Sequence, residues 1–206
     1  MATLEFEAGL ASFPRLALNR LRTSPPRGAR LALISTYDEL CGIAAYARAL
    51  EKQLSRDFAV TVFDLSQYLL RSVDQRVRKF ADLHIREICR ALSGCDVVNL
   101  QLEFGILGRR ASDVYRRLSW IIEAAPRLSV TFHSVLRAEP CDRLSLAREL
   151  LRLDFAKAAG RCARRRRNRL LSSGVAGRLR RAQREKPVAV IVHNRRDAQQ
   201  MKYVLN

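Results

Sequence analysis

The chain has 206 residues, 48% of them hydrophobic, and its 38 Lys and Arg against 20 Asp and Glu give a net charge of +18. One domain with a real core is the default at this length, and no run approaches the roughly 20 apolar residues of a membrane span. The five cysteines (Cys41, Cys89, Cys95, Cys141, Cys162) are scattered without a CxxC or Cys/His pairing, which argues against zinc and for reduced thiols. A +18 field attracts polyanions: nucleic acid, anionic lipid or nucleotide phosphates. The N-terminus carries Glu5 and Glu7 and lacks the apolar core of a signal peptide, so a cytoplasmic setting is expected.

Residues 1–29 read as an arm with a short amphipathic helix (Phe13, Leu16, Leu18, Leu21) and a linker ending in Ser24-Pro25-Pro26-Arg27-Gly28. Leu31–Ile34 then reads as a buried strand, and Gly42 opens a helix in which Ile43, Tyr46, Ala47 and Leu50 recur at helical spacing. Ala59–Leu65 is a β-branched and aromatic strand. Gln75–Leu92 is predicted helical, with Val77, Phe80, Ala81, His84, Ile88 and Leu92 close to one face. Val97–Leu102 is the next strand, with Glu103-Phe104-Gly105 as its exit. A helix over Ser112–Ala125 closes at Pro126. Leu128–Phe132 is a strand leading to His133-Ser134, and a basic helical stretch follows from about residue 145 to 186. Pro187–Val192 is the last strand, exiting at His193-Asn194 into a final helix.

Strict alternation of strand and helix demands parallel strands with helices on both faces. The expected fold is therefore α/β: a Rossmann-like doubly wound sheet of five strands in the order 2-1-3-4-5, spanning residues 30–206. Ligands of such sheets bind at the carboxyl ends of the strands, where the winding reverses. Those ends here carry Asp38–Gly42, Asp64, Glu103–Gly105, His133-Ser134 and His193-Asn194. Gly42 also stands at a helix N-terminus, where backbone N–H groups and the helix dipole favour an anion. There is no GxGxxG, so a dinucleotide site is not supported. Polar residues at strand ends open to solvent also need no function, and each one alone has that plainer explanation.

Four segments in order carry a resemblance: GIAAY after the first strand, CDVVNLQLEFGIL around the third, VTFHSVL at the fourth and VIVHNRRDAQQM at the close. From about Leu31 to Met201 the chain resembles the N-terminal domain of family 4 GT-B glycosyltransferases, with the basic stretch as an interruption. The resemblance implies a retaining transferase with two Rossmann-like domains across a cleft, this one holding the acceptor. The other would bind a nucleotide sugar as substrate, without a resident cofactor or metal. It implies that His133 contacts the transferred sugar as the catalytic-site histidine; a neutral imidazole at a strand end can donate from one ring nitrogen to a sugar hydroxyl while a backbone partner fixes the other. Gly42, with Ile43 and Tyr46, matches the loop and helix approaching the donor diphosphate and acceptor. Glu103, Phe104 and Gly105 match the acceptor-side segment, and Ser134 and His193 complete the cleft. Two positions depart from the pattern: Cys41 stands where many members have a second glycine, and Asn194 follows His193 where the family often has serine. The donor half is implied as a partner, either following in a longer chain or as a separate subunit. Without its diphosphate clamp little transfer is expected, because electrostatic stabilisation of the leaving group is usually the largest catalytic term. The acceptor would be a glycan or a lipid-linked group.

Leu151–Lys186 holds thirteen basic residues, among them Arg164, Arg165, Arg166 and Arg167, against Asp154 and Glu185. Four consecutive arginines cannot share one helix face, so this segment is expected to project into solvent. Three readings stand: a plain solvated insertion, an anionic membrane surface on the inner face of a membrane, and, ranked last, nucleic acid. With Phe155 as its sole aromatic residue the stretch has no stacking platform for bases. The rival to the enzyme is a non-catalytic Rossmann-like module that binds a partner, membrane or nucleic acid through these arginines.

Overall fold

A computed structural model describes residues 28–135 and 155–205. Five strands, β1 (Ala29–Ser35), β2 (Phe58–Asp64), β3 (Val97–Leu102), β4 (Leu128–Phe132) and β5 (Val188–Val192), form one parallel sheet in the order β2-β1-β3-β4-β5. The order is the one expected from the sequence. Around the sheet lie α1 (Gly42–Leu54), α2 (Gln67–Leu70), α3 (Gln75–Ala91), α4 (Ala111–Ala124), α5 (Phe155–Glu185) and α6 (Arg195–Leu205). Among the described residues no helix is long and apolar enough to cross a membrane. The arm expected before residue 28 and the start of the basic stretch before residue 155 lie outside the described residues.

Register aligns the core. Ile34 pairs with Leu100, Leu100 with Val130 and Val130 with Val190, so one apolar row crosses four strands. Because successive strand residues point to opposite faces, β1 divides its side chains between two clusters. Leu31 and Leu33 pack with Ala47 of α1, bordered by Leu50, Leu54, Val60 and Val62. Ala32 and Ile34 join the larger cluster under α3, α4 and α5. The chain winds one way through α1 and the other way through the later crossovers, which places helices on both faces and opens the crevice at the carboxyl edge.

Two helices depart from the sequence reading. In α3 the buried stripe is Ala81, Ile85 and Ile88, continued by Leu92, while Phe80 is 63% exposed. Phe80 sits about 100° round the helix from Ala81, which takes it off the buried stripe. The basic stretch is also not wholly a solvated insertion. Its second half supplies the β4-to-β5 crossover, with Leu171, Val175, Leu179 and Ala182 buried at helical spacing. There α5 crosses α4 closely: a Cβ on Gly174 would stand 3.0 Å from the Tyr115 ring. Lys186 then donates from Nζ to the carbonyls of Ile122, Glu123 and Ala125. It thereby satisfies acceptors that the end of α4 would otherwise leave unpaired.

Between α3 and α4 lies a buried charge network. Arg117 is completely buried; its Nε donates to Asp82 at 2.7 Å, and its other nitrogens donate to the carbonyls of Leu70, Leu107 and Arg78. Arg78 makes a two-pronged contact to Asp113 at 2.9 and 2.8 Å, and Arg116 bridges Asp82 and Asp113. Arg117 thus ties α2 and the loop after β3 to both helices. Gly108 closes that loop with φ +149°, and a Cβ there would lie 3.1 Å from Nη1 of Arg117 and 3.1 Å from Cβ of Asp113. Gly108→Ala is therefore expected to cost about 1–3 kcal/mol through backbone strain and crowding. A urea midpoint shift at constant slope would measure it; an unchanged midpoint would show that the loop relaxes freely.

Candidate functional site at the carboxyl edge

The carboxyl ends of β1, β3, β4 and β5 bring the predicted residues to one edge of the sheet. Gly42 opens α1, which Cys41 caps: its Sγ accepts from the N–H of Ala44 at 3.4 Å. Among the described residues no hydrogen bond claims the N–H groups of Gly42 and Ile43, as expected for a first turn. A Cβ on Gly42 would meet nothing within 4 Å and its φ is not positive, so space and backbone leave room for a side chain. One turn on, α1 presents Tyr46, 38% exposed. Its ring meets His133 edge-on at 5.2 Å and His193 edge-on at 5.4 Å, and the two imidazoles lie 5.0 Å apart. Three rings from α1 and the ends of β4 and β5 therefore form one cluster.

Beneath it runs a chain of polar side chains inside the sheet. Asn99 donates to Ser129, Gln101 donates from Nε2 to Asn99 and Thr131, and Oε1 of Gln101 faces Nε2 of His133 at 2.9 Å. With Oε1 as the acceptor, Nε2 of His133 carries the proton. The neutral ring then presents Nδ1 as an acceptor. This reverses the role expected for the ring, and its fixed partner is a side chain instead of a backbone group. Burial, then the nearby His193 ring, lower the His133 pKa against the pull of Glu103. Burial likewise raises that of the Tyr46 phenol. Both groups are neutral at pH 7.

Glu103 is half-buried beside this cluster. Its Oε1 accepts from the Ser134 hydroxyl at 2.7 Å and from the N–H of Phe104 at 3.2 Å, so the ends of β3 and β4 are joined by a carboxylate and a hydroxyl. Phe104 itself turns inward against Phe132, with ring centroids 6.0 Å apart, and Ile43 packs on the same core. These two side chains serve packing, while Gly105 is exposed with open space around it. Asp64 is used structurally: it accepts from the N–H of Tyr37, and its carbonyl meets the ring of His84. Arg164, Arg166 and Arg167 are exposed and Arg165 half-exposed, on α5.

Gln101 and the Arg117 network are the residues the sequence reading missed. Gln101 sits at an inward strand position between Leu100 and Leu102, and a long amide in a run of apolar residues is the signal that marks it. Among the described residues no group of three or more His, Cys, Asp or Glu is arranged to hold a metal ion. Burial raises the pKa of the Cys89 thiol to about 11 and also that of Cys95, so neither is a thiolate nucleophile at neutral pH. No family profile, curated protein or solved structure matches the chain significantly. The site therefore has to be interpreted from its own chemistry.

Proposed function

We propose that this domain is the acceptor-binding half of a retaining glycosyltransferase, acting with a donor domain that binds the nucleotide sugar. The observation that carries the reading is the cluster of Tyr46, His133 and His193 over the Glu103–Ser134 pair at the carboxyl edge. A sugar has apolar C–H faces and a rim of hydroxyls. Aromatic edges and faces suit the first, and a neutral imidazole acceptor with a fixed carboxylate suits the second. The open first turn of α1 adds N–H donors where an anionic leaving group would be favoured. The glutamate's second oxygen, Oε2, carries no hydrogen bond to another described group and is the acceptor available to a sugar hydroxyl.

Binding is testable on the chain itself. Methyl glycosides titrated into the protein at millimolar concentration are expected to shift the imidazole resonances of His133 and His193 while leaving His84 unmoved. Tyr46→Ala should weaken that response without changing the thermal midpoint. Glycosides that move none of these resonances, or that move all three histidines alike, would reject the sugar site and favour a non-catalytic module.

A further inference from the structure

The sugar site uses none of the outward surface of α5, and that surface is unusual. Taking 100° per residue, the buried residues Leu171, Val175, Leu179 and Ala182 define one side of the helix. The opposite side runs through Arg166, Arg169, Arg180, Arg181 and Arg184, every one of them exposed. It carries five arginines and no carboxylate. Phe155 is 59% and Leu170 43% exposed, and the positions between the charges are small. The 31 residues of α5 extend about 46 Å, and the five arginines of this face lie within about 27 Å of it, between residues 166 and 184. Arg178, off this line, already pairs with Glu123, whereas the five outward arginines make no ion pair with any described residue.

We propose that this face of α5 docks the protein flat onto an anionic lipid bilayer. A plane of phosphates is the partner that all five arginines of one helix face can meet together. Arginine stems lie along the headgroup region while their guanidinium groups stay among the phosphates. Phe155 and Leu170 project from the same side and would enter the acyl boundary, as the apolar residues of an interfacial helix do. A second copy of the chain is opposed by like charge, since the same stripe would face itself at a net charge of +18 each. A nucleic acid would be held by charge alone, for no aromatic platform alternates with the arginines.

The experiment is co-sedimentation of the full chain with vesicles of neutral phosphatidylcholine and of phosphatidylcholine containing phosphatidylglycerol. Binding is expected only to the anionic vesicles and should weaken as salt is raised. Each outward arginine removed should lower the partition about fivefold, so Arg180→Gln/Arg181→Gln/Arg184→Gln should lower it about a hundredfold. Phe155→Ser/Leu170→Ser should reduce binding that persists at high salt. His133→Ala is the control and should bind vesicles normally, so docking and the sugar site can fail separately. Folding of each variant is checked by its circular dichroism and midpoint. Equal binding by the folded triple variant, equal binding to neutral vesicles, or binding to duplex DNA in preference to anionic vesicles would each overturn the proposal.

Discussion

Replacing Arg117 with methionine is expected to destabilise the protein by about 3–5 kcal/mol. That is a large share of the roughly 5–15 kcal/mol that holds a domain folded. The guanidinium is completely buried and binds one carboxylate and three backbone carbonyls. Methionine fills much of the volume but leaves those carbonyls without a donor, and each buried unpaired group costs about 1–3 kcal/mol. Arg117→Lys keeps the charge but cannot reach four acceptors from one fork, so it should fall between the two. Acid sharpens the test. Burial on its own would raise the Asp82 pKa, but hydrogen bonds from Arg116 and Arg117 outweigh it and hold the carboxyl below its ordinary value. A folded value below the unfolded one means the stabilisation is complete above about pH 4 and is lost as pH falls through the folded value. The gap between wild type and Arg117→Met should therefore narrow as pH is lowered below about 4. A gap that stays constant in denaturant titrations across that range would show that Asp82 is not the partner that matters.

The consequence reaches the site. Arg117 holds the carbonyl of Leu107, Gln67 holds that of Ile106 at 3.0 Å, and the turn is closed by the N–H of Ile106 on the carbonyl of Glu103. Glu103 thus stands on a loop clamped from beneath by a buried cation.

The fold was legible because parallel central strands are buried on both faces and read as continuous apolar runs, as Leu31–Ile34 and Val97–Val98 do. Alternation and crossover handedness leave few strand orders, of which 2-1-3-4-5 is the one the structure has. Arg117 was legible too, had its spacing been taken at face value: it lies three residues after Val114 and four before Ile121, on the buried stripe of α4. Charge hid it, since an arginine is ordinarily placed on the solvent side. The same bias hid Leu171, Val175 and Leu179 inside the basic stretch. At the site, which residues end each strand could be read from the chain. Their meeting could not, because the contact of Tyr46 with His133 and His193 depends on how α1 lies over two strands distant in sequence. Nor does any local pattern reveal that Gln101 sets the proton on His133.

If the domain acts in a transferase as proposed, that proton decides what His133 can do there. A neutral ring with Nε2–H held by Gln101 offers Nδ1 as an acceptor to a sugar hydroxyl, and such a contact speeds transfer if it tightens as the sugar ring flattens toward the transition state. His133→Ala is then expected to lower kcat about tenfold or more while leaving acceptor affinity nearly unchanged, and to cost about 1–3 kcal/mol of stability because Oε1 of the buried Gln101 loses its donor. Gln101→Leu should reproduce part of the loss by freeing the ring to take the other tautomer, a positioning effect that ring-nitrogen NMR would register directly. The acid limb of kcat/KM gives a third reading. Burial and His193 hold the His133 pKa below the ordinary histidine value, so activity that needs the neutral ring should persist below about pH 6.5 before it falls. If the folded fraction of His133→Ala instead turns over at the wild-type rate, the ring serves only to close the end of β4. The acceptor role would then have to rest on Glu103 and Tyr46.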